Sequence, residues 1–278
     1  MQRSASSLGA VMVALACLLS MQAWSQSAKL TLVAASNFAA PEVSFDAIRA
    51  GSAGQISAFT TAPELPRMSP ELAVATFQNR LRQQLAGVPS YSANTVIAVE
   101  LPDTNQRGVF ELRKGFSAPH TLRFTPVHYS GDGFVKSSVI TRLLQQEVTQ
   151  TANGDALKTA LDQQNYKFSF KGESTLDGRS VYVFQVKPRE KLAGLFKGHI
   201  YLDSRSGVLC RAEGELVKSP SFFIKRIQFT SDFADVSGYA LPVHIHSDAK
   251  TRIIGRAQVD ITNSGYSFAE SGAMIASR

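Results

Sequence analysis

"NYKFSFKGESTLDGRSVYVFQVKP", residues 165–188, is the stretch on which the fold is read. Tyr166, Phe168 and Phe170 alternate with Lys167, Ser169 and Lys171, the period-two pattern of a strand with one buried and one wet face. Asp177-Gly178 then supplies residue types suited to a tight reversal. From Ser180 to Lys187 the one-sided pattern fails, because Val181 and Val183 oppose Tyr182, Phe184 and Val186. The central strands are therefore expected to be apolar on both faces.

Downstream the pattern stays β. Further strands are predicted over Gly198–Leu202, Val208–Val217, Phe222–Phe233, Leu241–Ser247 and Ile253–Thr262, with reversals at Pro188, Ser206-Gly207, Ser219-Pro220 and Ser237-Gly238. Upstream, Ser69-Pro70-Glu71 reads as an N-cap, a proline at the first helical position and an acid in the first turn. Leu72, Phe77, Leu81 and Leu85 stripe that helix until Gly87 and Pro89 stop it. Strands at Asn94–Leu101, Arg107–Arg113 and His120–Val127 follow as a meander. Beyond the turn Gly131-Asp132-Gly133, the residues Val135, Val139, Leu143, Leu144 and Val148 mark a second helix to about residue 149. A third, shorter helix is predicted from Asp155 to Gln164, capped by Asp155. Some ten strands with two or three helices among them describe one α+β domain over residues 69–268, built as a large antiparallel sheet with helices on one face. A twisted sheet of that size curls, and a curled sheet partly closed by helices encloses a cavity.

"SPSFFIKRIQF", residues 219–229, raises a question of facing. By parity Phe223, Ile227 and Phe229 share one face, while Phe222 and Ile224 fall on the other with Arg226 and Gln228. The first set is the expected interior, and Phe222 with Ile224 forms a small apolar lip. Lys225 and Arg226 are expected on opposite faces, Arg226 solvated and Lys225 reaching along its aliphatic stem to the sheet edge, or else one of the two meeting an anionic head group at a cavity mouth.

The chain opens with Arg3, an uncharged apolar run from Leu8 to Met21, and Ala23-Trp24-Ser25. This is the pattern of a secretory signal peptide, residues 1–25, cleaved near Ser25, and it predicts an exported, periplasmic protein. Leu15-Ala16-Cys17 loosely resembles a lipoprotein cleavage site, but the apolar run continues past Cys17, which argues against lipid anchoring there. Residues 26–68, rich in Ala, Ser, Thr and Pro apart from the apolar piece Leu30–Ala35, read as a loosely ordered arm or linker, and residues 269–278 as a tail. Without the leader the charge is 28 basic against 22 acidic groups, a net of +6 spread along the chain. No basic stripe with stacking aromatics points to nucleic acid, and no stretch is long enough for a transmembrane segment.

Motifs of catalysis are missing. Gly115-Phe116-Ser117-Ala118-Pro119 lacks the last glycine of a nucleophile elbow, and phosphate loops, dinucleotide fingerprints and HExxH are absent. The expectation is a protein that is not an enzyme and carries no cofactor. Cys210 lies in an alternating stretch and reads as a small buried apolar residue. His244-Ile245-His246 places two imidazoles on one strand face, but adding Asp248 spreads three ligands over about 13 Å, so no metal site is expected.

Residues 165–247 resemble exported bacterial proteins of the outer-membrane lipoprotein-sorting, lipoprotein carrier-like family. The likeness rests on Asn165-Tyr166, Gly178-Arg179 before "VYVFQVKP", "FKGHIYLD" at 196–203, "RAEGELVKSPSF" at 211–222 and Gly238-Tyr239-Ala240-Leu241-Pro242. What the resemblance implies is a half-open β-barrel whose concave face is covered by helices around an apolar cavity for acyl chains. The ligand would be a lipid or the acyl chains of a lipoprotein. The expected lining is Phe168, Phe170, Tyr182, Phe184, Ile200 and Leu202, with Phe222 and Ile224 at the lip. The alternative on the same fold is an envelope sensor or protein-interaction module that docks a protein partner and transports no ligand.

Overall fold

A computed structural model describes residues 66–269, apart from residues 220, 221 and 223 and the side chain of Asp155. The expected leader, Cys17, the piece Leu30–Ala35 and most of the arm and tail lie outside the described residues.

Helix α1 spans Pro70–Ala86, with the Ser69 hydroxyl accepting from the Leu72 N–H at 3.2 Å, as the cap signal requires. Strands β1 (Tyr91–Leu101), β2 (Gln106–Ser117) and β3 (Thr121–Gly131) follow. A π-helical turn over Val135–Ile140 runs into helix α2, Thr141–Asn153. A 3-10 turn at Asp155–Thr159 leads to β4 (Tyr166–Leu176) and β5 (Arg179–Pro188). The chain then makes β6 (Phe196–Asp203), β7 (Leu209–Leu216), β8 (Ile224–Val236), β9 (Tyr239–Thr251) and β10 (Arg256–Phe268).

All ten strands form one open sheet in the order β3-β2-β1-β10-β9-β8-β7-β6-β5-β4. Every neighbouring pair is antiparallel. The free edges are thus β3 and β4, which are consecutive in the chain, and residues 132–165 must carry the chain from one edge to the other. That helical strap runs along the apolar face. Residues from β1 and β2 (Ile97, Phe110, Leu112), from β5 and β6 (Tyr182, Phe184, Ile200) and from the helices (Phe77, Leu81, Val139, Leu143) belong to one continuous core cluster. Strands so far apart in the sheet share a core because the sheet curls around its helices. A flat ten-strand sheet would be about 43 Å wide, against about 30 Å for the strap's 21 helical residues, so the curl also brings the edges within its reach.

Glycines set the curvature at β6 and β7. Gly198 and Gly214 are directly paired, and both occupy covered-face positions. A Cβ on Gly198 would lie 1.9 Å from the Glu213 carbonyl oxygen, and one on Gly214 would lie 2.3 Å from that of Lys197. Below 3 Å something must move, so the two backbones approach as only glycine allows.

α1 crosses the same face, held by polar contacts along its length. Its Gln84 amide donates to the Ala240 carbonyl and accepts from the Ala240 N–H, each at 3.1 Å. Arg80 pairs with Asp235 at 2.8 Å, and Gln78 donates to the Leu161 carbonyl. Just before the helix, the Met68 N–H donates to Ser204 and its carbonyl accepts from the Tyr182 hydroxyl at 2.5 Å, while Arg67 reaches Glu173 and Ser180.

Two expectations are corrected. The third helix, predicted from Asp155 to Gln164, shrinks to the 3-10 turn Asp155–Thr159, which starts from Gly154, the same left-handed glycine that ends α2. Local side chains take the backbone groups a longer helix would use: Asp162 accepts from the Gln164 and Asn165 N–H groups, and the Asn165 amide donates to the Leu157 and Ala160 carbonyls. Ile224, expected on the wet face, is buried in the core. A bulge between Ile224 and Arg226 inserts one residue into β8, which returns Ile224 to the side of Ile227 and leaves Lys225 and Arg226 both exposed.

Gly198→Ala is expected to lower the unfolding free energy by about 3 kcal/mol. Gly115→Ala, whose added Cβ meets nothing within 4 Å, is expected to be neutral or stabilising by up to about 1 kcal/mol. Urea denaturation of both variants checks the contrast, and equal losses would contradict the close-approach account.

Candidate functional site

The seam between sheet and strap holds a buried ion pair. Lys114 occupies a covered-face position of β2, in the alternation Phe110, Leu112, Lys114, Phe116. Glu147 continues the buried stripe of the strap one turn beyond Leu143. The Lys114 Nζ lies 2.5 Å from Glu147 Oε1, and each side chain is 8% exposed. Burial alone would lower the Lys114 pKa. The Glu147 carboxylate, joined by Tyr91 and Tyr266, overrides that and raises it above the ordinary lysine value, so the ammonium stays charged. The Phe124 ring lies 5.8 Å from Nζ.

Around this pair Thr95, Asn263 and Tyr266 are engaged elsewhere. Thr95 donates to the Asn263 side-chain carbonyl at 2.8 Å, and both the Asn263 amide and the Tyr266 hydroxyl donate to the Pro242 carbonyl. The pair borders a cavity of about 10 Å³, walled also by Ile97, Phe124, Ile245 and Ile261. That is room for about one water molecule. At the other end of the strap, the Lys136 ammonium lies 4.9 Å from the Tyr129 ring centre and 5.5 Å from that of Phe110.

The expected lining residues divide into groups. Tyr182, Phe184, Ile200, Leu202 and Ile224 lie in the core cluster under the helices, with Phe168 packed against it. Phe170, on edge strand β4, is 46% exposed, its ring against those of Tyr182 and Phe184. Phe222 stands apart in the turn before β8, 75% exposed, with the Arg252 guanidinium 4.8 Å over its ring and the Arg252 Nε donating to its carbonyl. The structure therefore brings six of the eight together beneath α1 and the strap.

The opposite face of the sheet is polar. Strand register sets His199, Glu213, Thr230, His246 and Asp260 side by side across β6 to β10. The first four of these, with Lys197, Glu215, Gln228 and Asp248, border a shallow trough of about 520 Å³. Most charges there are paired: Arg211 with Asp232 at 2.5 Å, Arg226 with Glu215 at 2.8 Å, and Arg256 with Asp248. His246 Nδ1 lies 2.8 Å from Asp260 Oδ1, and His244 sits between Asp232 and Asp260 at 3.7 and 3.4 Å. Among the described residues no group of three His, Cys, Asp or Glu side chains is placed to hold a metal ion. Cys210 is buried, and that burial, with Asp203 beside it, pushes its thiol pKa up, away from a reactive thiolate.

Sequence reading missed Lys114 and Glu147. The signal was present in each, as a charged residue at a position whose i±2 neighbours on a strand, or i−4 neighbour on a helix, are core residues.

No known family model and no curated protein matches the sequence. Solved structures similar to this chain include a LolA superfamily protein from Nitrosomonas europaea, 12% identical, covering 73% of this chain and 97% of that one at a TM-score of 0.39. A putative outer membrane lipoprotein-sorting protein domain from Vibrio parahaemolyticus is also 12% identical, covering 72% and 94% at 0.39. MucB in the Pseudomonas aeruginosa MucA/MucB complex is 11% identical, covering 69% and 92% at 0.23.

Lys114→Met strands Glu147 in the core and is expected to cost about 3–5 kcal/mol, whereas Lys114→Met with Glu147→Leu is expected to lie near the parent. Chemical denaturation of the single and double variants measures this, and additive losses would contradict the pairing account. Phe222→Ser is expected to change stability by no more than about 1 kcal/mol, the size of an exposed cation–π contact. A large fall in melting temperature would place Phe222 in the core instead.

Proposed function

We propose that this protein is an exported, periplasmic binding protein that performs no covalent chemistry and takes acyl chains, of a lipid or of a lipoprotein, between its curled sheet and the helical strap. The observation that supports it is the buried Lys114–Glu147 pair in an otherwise apolar seam. A buried pair adds little net stability compared with apolar packing, but it specifies one docked arrangement. It suits a strap that must close in one place and also come away. The π-helical turn at the head of the strap is a rare geometry that concentrates at moving or functional segments.

Displacing the strap would uncover the apolar wall beside Glu147, which includes Ile97, Phe124, Ile245 and Ile261. Each acyl methylene then buried contributes about 0.8 kcal/mol, so ten offset about 8 kcal/mol of opening cost. Ser231 and Ser247, on the covered face, have buried hydroxyls without a hydrogen-bond partner among the described residues, polar points a bound molecule could satisfy. The resemblance of residues 165–247 to exported lipoprotein-sorting factors agrees with this reading.

A second reading, a sensor that docks a protein partner, is favoured by the polar trough of about 520 Å³ on the opposite face. Native mass spectrometry of the protein taken from its own periplasm separates the two. The acyl-binding reading expects a co-purified amphiphile and displacement of a fluorescent fatty acid by unlabelled ligand. An empty interior with a bound protein, and no displacement, would replace it with the sensor reading.

A further inference from the structure

Lys114 poses a problem that the proposed opening must solve. Its ammonium is buried, remains charged, and has its counter-ion on α2, the element that would move. The nearby Asn263 and Tyr266 groups donate elsewhere, to the Pro242 carbonyl, and Thr95 is engaged with Asn263. Moving the strap without a replacement anion would leave a lysine charge in an apolar wall, one of the costliest arrangements in a protein interior. The small cavity beside the pair is walled by Thr95, Pro242 and Asn263, whose polar groups bond one another, and by the apolar Ile97, Phe124, Ile245 and Ile261, so a charge contact and an apolar surface meet at one point. An amphiphile has that same division between head and chain.

Size narrows the head group. The space next to Nζ, about 10 Å³ beyond what Glu147 itself fills, suits a group of the size of the Glu147 carboxylate. We infer that Lys114 is a head-group site, at which the carboxylate of a free fatty acid replaces Glu147 on the ammonium while its chain lies along the wall that α2 uncovers. This rests on the acyl-binding reading above and adds the ligand's charge and the residue that reads it. Glu147 is then a built-in competitor. It holds the strap closed when no acid is present, and the acid releases it by taking its partner, a one-for-one exchange of carboxylates with no bond made or broken.

Displacement of a fluorescent acyl probe by laurate and by its methyl ester tests the inference, because the two differ in head-group charge at equal chain length. The native sequence is expected to bind laurate at least tenfold more tightly than methyl laurate. Glu147→Gln, which removes the competitor and keeps the lysine, is expected to tighten laurate several-fold and leave the ester nearly unchanged. Lys114→Met with Glu147→Leu is expected to bind both ligands alike, with circular dichroism confirming its fold. If that double variant does not fold, the Glu147→Gln comparison decides. Equal binding of acid and ester by the native sequence, or a preference that survives loss of Lys114, overturns the head-group site and leaves acyl binding standing. Binding of neither ligand overturns both.

Discussion

The two free edges of the sheet are consecutive strands, and the rest of the molecule depends on that constraint. β3 and β4 stand at opposite ends of the strand order, so the segment between them has to travel the whole width of the sheet. It does so as a helical strap with one apolar face, and burying that face against the sheet is the main favourable term available to it. The sheet answers by curling, with Gly198 and Gly214 removing the side chains that would hold β6 and β7 apart. Core residues from nearly all strands then fall in one cluster with residues of the helices.

A strap that is both a crossover and a cover has a particular energetic character. Its ends are covalently fixed to the sheet edges, so separation of its middle is a local event and not unfolding of the chain. Its middle is pinned by one ion pair, Lys114–Glu147, whose value lies in specifying where the strap docks more than in net stabilisation. The two faces of the sheet therefore have different work. The covered face is apolar with a charge placed in it, and the open face is a lattice of mutually paired charges. That lattice needs no cover, which is how a sheet can leave one side in water.

Much of this was legible residue by residue. The alternation of Tyr166, Phe168 and Phe170 with lysine and serine, the Ser69-Pro70-Glu71 cap, the stripe of the second helix and the glycine turns each report a local backbone choice. The eight residues expected at a ligand site were legible as apolar side chains, and six of them do come together. Lys114 and Glu147 carried a signal in their apolar neighbours at i±2 and i−4, but it separates them from ordinary surface charges only once the strand or helix face is assigned. Ile224 was assigned to the wrong side because one inserted residue reverses parity, and a bulge leaves no signature in the apolar pattern that produces the parity count.

What the sequence by itself determined is the class of the fold: strands of period two, helices of period near four, the turns between them, and an apolar face large enough to require cover. These follow from interactions between residues two to four apart, which any reader of the chain can count. The tertiary structure alone decided that β1 lies beside β10, that one strap joins both edges, and that Lys114 meets Glu147 from 33 residues away. The physical reason is that register and strand order are set by the closing of long loops against a shared core. Many pairings satisfy the local pattern equally well, and burial of the apolar face with its buried charges partnered selects among them.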